Sequence, residues 1–253
     1  MALLEAFARP FDPQNPAASH ADFLNERFAQ WQTREVLDEV IHREFPRRIA
    51  LVSSFGADSV VLLHLVASVD PTLPVIFIDT GKIFGSTHRY RSELVSLLKL
   101  KDVRTARPDP AMLSAHDIDS GLWLREPDKC CAIRKVAPLA RALSGFDAWI
   151  SGRKRYQGGD RARLPLIEAD GDRIKINPLA EWMKQDLDLY REEHALPEHP
   201  LVADGFRSIG CMPCTTRVAD GEDERDGRWR GQEKTECGIH YGLAAFEGDG
   251  SGI

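Results

Sequence analysis

The sequence predicts an α/β fold with a doubly wound, mostly parallel sheet. Two short apolar runs, 48–52 and 74–78, each end in a polar tip, and a helical pattern follows each of them. Strands that alternate with helices favour parallel pairing, with ligands bound at the carboxyl ends of the strands. A chain of 253 residues is long enough to bury a good core in one such domain.

The other elements follow from similar patterns. Residues 1–18 are rich in Pro, Ala and Asn and are expected to have little fixed structure, whereas apolar residues recur at helical spacing over 22–45. An Asp-Gly pair between the runs 164–167 and 173–176 predicts a hairpin. The remaining predicted elements are a helix at 87–100, a strand at 102–106, a loop at 108–127 with one short helix, a helix at 128–143, a strand at 147–151 and a helix at 183–195.

The turn after the first strand has the features of an anion site. Residues 53–59 read Ser-Ser-Phe-Gly-Ala-Asp-Ser and lead into a helix N-terminus, whose first N–H groups lack partners and whose dipole favours negative charge. The alternative is an ordinary turn in which Asp58 or Ser59 caps the helix. The turn is not a Walker A motif, because no Gly-Lys-Ser/Thr closes it. It resembles the S-x-G-x-D-S loop of the PP-loop superfamily, which binds adenylated or adenylatable nucleotides.

Composition limits the possible partners and compartments. The formal net charge of −6 argues against a general nucleic-acid-binding surface. No apolar run approaches the roughly 18 residues of a membrane span. The first twelve residues lack a basic region before their short apolar patch, so they do not form a convincing signal peptide. We therefore expect a cytoplasmic protein that binds neither nucleic acid nor membrane.

The five cysteines divide into two pairs and one single residue. An odd count without an export signal argues against a disulfide framework. Cys211-x-x-Cys214 has metal-ligand spacing and fits zinc, iron–sulfur or a redox dithiol. The adjacent pair Cys130-Cys131 suits a cluster better than a single ion, because the irons of a cluster are separated. Iron–sulfur is therefore favoured over zinc, and buried structural thiols are the third alternative.

The fifth cysteine, Cys237, follows a charged segment that almost lacks aliphatic residues. That composition predicts a mobile arm over 217–253. One interpretation of Cys237 is a surface thiol. The other is a nucleophile that visits a pocket and swings out to a reductant, which requires nearby positive charge to form the thiolate. A basic turn at 152–155 at the end of a predicted strand is either a solvated face or part of the same anion site.

Taken together, the motifs of residues 48–241 resemble the assimilatory adenylyl-sulfate (APS) reductases, within the APS/PAPS reductase family of the PP-loop superfamily. The motifs appear in family order. They are Ser53-x-Phe55-Gly56-x-Asp58-Ser59, Asp79-Thr80-Gly81, Lys129-Cys130-Cys131-x-x-Arg134-Lys135, Arg155-x-Gln157, Asn177-Pro178-Leu179-x-x-Trp182, Cys211-x-x-Cys214 and Glu236-Cys237-Gly238-Ile239-His240.

The resemblance implies reduction of APS to sulfite and AMP, with thioredoxin or a glutaredoxin-like dithiol as donor. It implies that Cys237 is the nucleophile and that Cys130, Cys131, Cys211 and Cys214 ligate a [4Fe–4S] cluster. It also divides the chain into an N-terminal helical segment (1–46), a nucleotide-binding and iron–sulfur domain (47–216) and the arm (217–253). The implied substrate-binding residues are Ser53, Ser54, Phe55, Gly56, Asp58, Ser59, Asp79, Thr80, Gly81, Lys129, Arg155, Gln157, Arg225 and Arg228.

Other functions remain open at the level of the sequence. A PAPS reductase or a dual-substrate enzyme would use the same chemistry, although that branch typically lacks the four cluster cysteines. A PP-loop enzyme that adenylates or thiolates another substrate would hydrolyse ATP to AMP and pyrophosphate. A non-enzymatic iron–sulfur sensor would leave Cys237 unexplained. The segment from Arg228 to Cys237 is short for the family and carries only Trp229, which weakens the assignment of Arg225 and Arg228. A homo-oligomer is compatible with all of these alternatives.

Overall fold

The computed structural model describes residues 15–232 and 234–240, and within them one mixed sheet of six strands. The predicted N-terminal segment therefore lies outside the described residues for its first fourteen positions, and the predicted arm for its last thirteen. The strands are β1 Ile49–Ser53, β2 Val75–Ile78, β3 Val103–Ala106, β4 Ala148–Ile150, β5 Ile167–Asp170 and β6 Arg173–Ile176.

The sheet has the order β3-β2-β1-β4-β6-β5 and is parallel except at one edge. There β5 and β6 form the antiparallel hairpin predicted around the Asp-Gly turn, with Gly171 at φ +63°. Strand order reverses between β1 and β4, so the loops after these two strands diverge and leave a crevice. The predicted doubly wound, mostly parallel fold is confirmed.

Helices cover both faces of the sheet. Two of them continue into wide π-helical turns, Val40–Glu44 after α2 and Ala132–Val136 between α7 and α8. The helices are α1 Pro16–Phe28, α2 Thr33–Glu39, α3 Ser59–Val69, α4 Gly85–Leu97, α5 Pro110–His116, α6 Leu122–Arg125, α7 Pro127–Cys131, α8 Ala137–Ala142 and α9 Lys184–Glu193.

The central strands are apolar on both faces because both faces are covered. On β2, Val75 and Phe77 enter a large core that α1, α2 and α3 cover, while Ile76 and Ile78 enter a second core against α8. This alternation is the period-two geometry of a strand. The short apolar runs of the sequence therefore reported buried strands correctly, and their polar tips mark the edge where ligands bind.

The N-terminal helix begins earlier than the sequence suggested. We expected little fixed structure over 1–18, yet α1 starts at Pro16. Asn15 explains the start, because its Oδ1 accepts the N–H of Ala18 at 3.1 Å and the following Pro suits the first helical position. Farther along α1, the amide of Asn25 donates to the carbonyl of Ile167 and accepts its N–H, at 2.8 and 3.0 Å. The helix thus pairs with the exposed edge of β5.

A long loop between α9 and the Cys211–Cys214 turn is fixed to α4. Tyr90 donates to the carbonyl of Pro197 at 2.8 Å. Buried His199 accepts the N–H of Leu201 at Nδ1 (3.1 Å), so its Nε2 carries the hydrogen and donates to Thr87 Oγ1 at 3.0 Å. The attachment to α4 of the loop that leads to the Cys211–Cys214 turn therefore depends on a neutral imidazole.

This imidazole should make stability depend on pH. Burial lowers the pKa of His199 from 6.5 to about 4, so the unfolded chain binds the proton more readily than the folded one. The contribution is complete above about pH 6.5 and is lost as the pH falls toward 4. Between pH 7 and pH 5 we expect the free energy of unfolding to fall by on the order of 2 kcal/mol from this group.

Denaturant unfolding at both pH values measures this effect. A His199→Gln variant, which cannot titrate, should have a smaller fall by about that amount, because all other groups are shared. Equal pH dependence in the two proteins would contradict the assignment of a neutral His199.

Candidate active site

A cavity opens at the carboxyl ends of β1 and β4, where the strand order predicts a ligand site. The loops after β1 and β4, the segment 207–211 and the arm enclose it. The described arm residues fold over the cavity as turns, with Trp229 and Glu236 buried, and the mobility of the arm stays a prediction. From the predicted site, the lining includes Ser53, Ser54, Gly56, Asp58, Ser59, Thr80, Gln157, Cys211, Arg225, Arg228 and Cys237.

The loop after β1 is shaped by its own hydroxyls and by one unusual backbone angle. Ser53 Oγ accepts the N–H of Phe55 at 3.2 Å, and Ser59 Oγ accepts that of Gly56 at 2.9 Å. Phe55 has φ +50° and is held there by burial edge-on to Phe77, with 5.6 Å between ring centroids. A side chain at Gly56 would lie 3.0 Å from the carbonyl of Ile209, so glycine permits the close approach of that segment.

Asp58 occupies the N-cap position of α3, but its carboxylate turns toward two lysines. It contacts Lys154 at 3.0 Å and Lys184 at 3.5 Å. Burial by itself would raise the pKa of Asp58, but the two ammonium groups outweigh it and lower the pKa. Asp58 is therefore the N-cap residue by position, as one alternative predicted, but its side chain makes no hydrogen bond to the start of the helix. The N–H groups of Ser59 and Val61 donate to the carbonyls of Gly56 at 3.1 Å and Asp58 at 3.3 Å, so the start of α3 acts on the cavity mainly through its positive dipole.

Basic side chains surround this helix end although the whole chain is acidic. Three come from the basic turn after β4 and the short helical segment that follows it, two from the arm, one from the turn after α7 and one from the segment at 207. Such a cluster in a partly enclosed cavity attracts an anion. The lining cations are Lys135, Arg153, Lys154, Arg161, Arg207, Arg225 and Arg228.

Several predicted binding residues lie outside this lining. Arg155 directs its guanidinium to Glu181 Oε1 at 2.8 Å and to the carbonyl of Leu164 at 2.7 Å. Asp79 forms an ion pair with Arg107 at 3.1 Å. Within the part of the chain that the structure describes, the cavity lining also omits Phe55, Gly81 and the half-exposed Lys129.

The thiol of Cys237 lies beside the ammonium of Lys135, with 3.6 Å between Sγ and Nζ. A hydrogen bond from the Cys131 thiol is the main cause that lowers the pKa of Cys237, and the charge of Lys135 adds to it against the opposing effect of burial. Burial disfavours the ammonium of Lys135, but the sulfurs of Cys211, Cys237 and Cys131 outweigh it and raise its pKa. The site therefore favours an ion pair of thiolate and ammonium.

The four other cysteines are buried, and three of them, Cys131, Cys211 and Cys214, lie close enough to interact with the charge of the same lysine. Cys130 lies near Cys211 and Cys214, and Thr80 Oγ1 contacts Cys211 Sγ at 3.2 Å. Burial raises the pKa of Cys130 to about 11 and is also the main cause that raises the pKa of Cys214, so the bare thiols stay protonated. Among the residues described, no three His, Cys, Asp or Glu side chains are grouped so as to hold a single metal ion.

These buried thiols fit a multi-iron cluster better than a mononuclear ion. A [4Fe–4S] cluster takes one thiolate at each iron, so its ligands stand farther apart than the ligands of one ion. The sulfur-only donor set, with a buried cation beside it, suits such an anionic group.

Sequence reasoning named Lys129 and Arg155 where the structure brings Lys135, Arg153 and Lys154 to the cavity. A signal for Lys135 was present, because it lies four residues after Cys131 on a continuous helical run and so shares its face. Arg161, Glu236 and His240 also line the cavity. His240 lies parallel to Trp149 at 6.2 Å between ring centroids, a contact that no spacing in the sequence indicates.

A family model described as the phosphoadenosine phosphosulfate reductase domain matches residues 48–217. The chain belongs to this family. Relatives named adenosine 5′-phosphosulfate reductase are 48% identical in Mesorhizobium japonicum (90% of this chain and 90% of the relative), 48% in Chelativorans sp. (96% and 98%) and 41% in Mycobacterium tuberculosis (79% and 79%).

Solved structures bear on the fold alone. The Candida auris phosphoadenylyl-sulfate reductase, in a phosphate complex, has a TM-score of 0.67 at 24% identity and covers 84% of this chain and 100% of its own. Yeast FAD synthetase in complex with FAD has a TM-score of 0.52 at 16% identity, over 78% and 68% of the two chains. Both share the α/β fold of this family member. Among its described residues, no helix is long and apolar enough to cross a membrane.

Separate substitution of the two lysines near the cysteines tests which of them activates the Cys237 thiol. We expect Lys135→Ala to slow alkylation of Cys237 by iodoacetamide at pH 7 by at least about tenfold, because the thiolate loses its nearest ammonium. Lys129→Ala is the matched control and should change the rate less than about twofold, since Lys129 lies outside the cavity lining. Peptide mass spectrometry measures modification at Cys237. A large effect of Lys129→Ala would restore the role predicted for Lys129.

Proposed function

We propose that the protein reduces adenosine 5′-phosphosulfate to sulfite and AMP, with Cys237 as nucleophile. The observation that carries the proposal is the thiol of Cys237, held 3.6 Å from Lys135 in a cationic cavity at the N-terminus of α3. Membership of the reductase family and the names of its relatives support the same reaction. The substrate presents two adjacent anionic groups, which this cavity suits.

The cavity can bind the nucleotide through its anionic end. The side chains of Lys154 and Arg153, together with the positive end of the α3 dipole, would hold the phosphate. Arg225 and Arg228 on the arm would face the sulfate beside Cys237. Their fixed charges would stabilise the negative charge that develops on the oxygens during attack.

The chemistry follows in two displacements. The Cys237 thiolate attacks the sulfur of APS, an S–S bond forms, and the S–O bond to the phosphate breaks so that AMP leaves with the electron pair. The product on the enzyme is a Cys237 S-sulfonate. A thiolate of the reductant then attacks Cys237 Sγ, sulfite leaves with the electron pair, and the second thiol of the reductant resolves the mixed disulfide.

This sequence oxidises one dithiol for each sulfite formed, so its donor is a thioredoxin or a glutaredoxin-like protein. Such dithiols are kept reduced in the cytoplasm, which is where we propose that the enzyme works. Cys237 belongs to the arm and is half-buried where the arm folds over the cavity. The arm must therefore open before a protein thiol can reach it. We propose this opening as the function of the predicted mobility over 217–253.

Cys130, Cys131, Cys211 and Cys214 would hold a [4Fe–4S] cluster, which their burial, the position of three of them near Lys135 and the nearness of Cys130 to Cys211 and Cys214 support. When bound, the cluster supplies a compact anionic group, and the dithiol route needs no electrons from it. Lys135 would then lie between the cluster ligands and Cys237. From this position its ammonium can attract the substrate and stabilise the thiolate at the same time.

Activity with purified substrates tests the reaction. We expect thioredoxin-dependent release of sulfite from APS, and we expect Cys237→Ser to lower kcat by at least about a thousandfold because no nucleophile remains. Mass spectrometry of the wild-type protein, mixed with APS but without reductant, should find a sulfonate on Cys237. Comparison of kcat/KM for APS and PAPS decides between the two sulfonucleotides. A Cys237→Ser variant with wild-type activity would overturn the proposed mechanism.

Metal analysis tests the cluster separately. Protein purified without oxygen should contain about four irons and four acid-labile sulfides per chain, with a brown chromophore. Cys214→Ser, which removes one ligand, should lose most of that iron, whereas Cys237→Ser should keep it. Stoichiometric zinc in place of iron would contradict the cluster and favour a structural tetrathiolate site.

A further inference from the structure

A carboxylate lies inside this cationic cavity and binds two of its arginines. Glu236 is buried, with 3% of its surface exposed, and it lines the cavity. Arg161 grips it with two nitrogens, Nε to Oε2 at 2.5 Å and Nη2 to Oε1 at 2.8 Å. Arg225 adds a weaker contact at 3.5 Å. A bidentate pair of this kind fixes the orientation of both partners as well as their separation.

The same carboxylate fixes the backbone of the nucleophile. Glu236 Oε1 accepts the N–H of Cys237 at 2.8 Å, and the carbonyl of Cys237 accepts the N–H of His240 at 3.0 Å. Arg225 also donates to the carbonyl of Thr235 at 2.7 Å. Both backbone polar groups of Cys237 are therefore satisfied in the orientation that points its thiol at Lys135.

The carboxylate of Glu236 is unfavourable for binding an anionic ligand in this cavity. Glu236 occupies donors that could otherwise serve the substrate, and it reduces the positive charge of the cavity. Burial alone would raise the pKa of Glu236, but its hydrogen bond and ion pair with Arg161, together with the charge of Arg225, lower it to about 2. The side chain is thus ionised at any working pH, and its charge is a permanent part of the arm.

We propose that Glu236 is a positioning residue that docks the arm into the guanidinium of Arg161 and thereby aims Cys237 at the substrate sulfur. The carboxylate acts through Cys237 and Arg161, and it does not itself take part in bond making or breaking. The proposal rests on the proposed function for the reaction that Cys237 performs. In its closed position the arm is then held by one defined ion pair, between Glu236 and Arg161.

The kinetic test uses Glu236→Gln in the complete protein purified without oxygen. The amide keeps the shape but loses the charge that holds the arm, so we expect kcat for APS to fall at least about tenfold. KM should rise less than about threefold, because the freed Arg161 adds positive charge for the anionic substrate. Glu236→Asp keeps the charge with a shorter side chain, and its kcat should lie between the values for the wild type and Glu236→Gln. Glu222→Gln, which removes a half-buried arm carboxylate that pairs with Arg230 and lies outside the cavity lining, is the matched control and should keep wild-type kinetics.

Limited trypsin digestion provides a readout that needs no turnover. Cleavage within 225–234 should be at least about fivefold faster in Glu236→Gln than in the wild type or Glu222→Gln, because the arm spends more time undocked. Arg161→Gln should have the same effect, and the double variant should be no more than about twofold faster than either single variant.

The outcomes separate the two proposals. If the wild-type protein does not reduce APS, the proposed function fails, while digestion still measures docking of the arm. If Glu236→Gln keeps wild-type kcat and wild-type digestion, Glu236 does not position the arm. A kcat that is unchanged with a KM lowered several-fold would also overturn the proposal, because Glu236 would then be only a competitor of the substrate. Independent, additive effects of Arg161→Gln and Glu236→Gln on digestion would show that their ion pair is not the contact that holds the arm.

Discussion

The arrangement of the site depends on one buried charge, the ammonium of Lys135 among the sulfurs of Cys131, Cys211 and Cys237. A lone ammonium in that position would be expensive to bury, and so would a lone thiolate. When the ammonium and the thiolate are paired, each lowers the free-energy cost of burying the other. The wide π-helical turn Ala132–Val136 places the lysine one turn beyond the cysteine pair, and the Cys211–Cys214 turn also lies near this lysine. Three distant parts of the chain therefore meet at one charge.

The sheet supplies the second half of the site. Reversal of strand order between β1 and β4 separates their following loops, and the start of α3 points into the gap. Asp58 fixes the ammonium of Lys154 at this gap, beside the positive end of the helix. The arm then closes the cavity from above with Arg225, Arg228 and Cys237. The cavity lining therefore combines side chains from the loops at the sheet edge with side chains from the arm.

The sequence predicted those parts of the protein that depend on local pattern. Buried strands, the hairpin and the cysteine pairs are local features, and ordered motifs carried the resemblance to the reductase family. Side-chain direction was less predictable. Arg153, Lys154 and Arg155 are consecutive, but only the first two line the cavity, because Arg155 begins the short helical turn Arg155–Gln157 and directs its guanidinium to Glu181. The partnership of Arg161 with Glu236 spans 75 positions, so no spacing rule could find it.

The amide of Asn25, which bonds to both backbone groups of Ile167, bears on where the domain can be cut. The family model begins at residue 48, after both N-terminal helices. A protein shortened to that boundary would keep every residue of the cavity, yet its outer strand would present free N–H and C=O groups and an uncovered apolar face. Strand edges of that kind recruit other strands and promote aggregation. The region that the family model matches is therefore shorter than the length of chain that protects this strand edge.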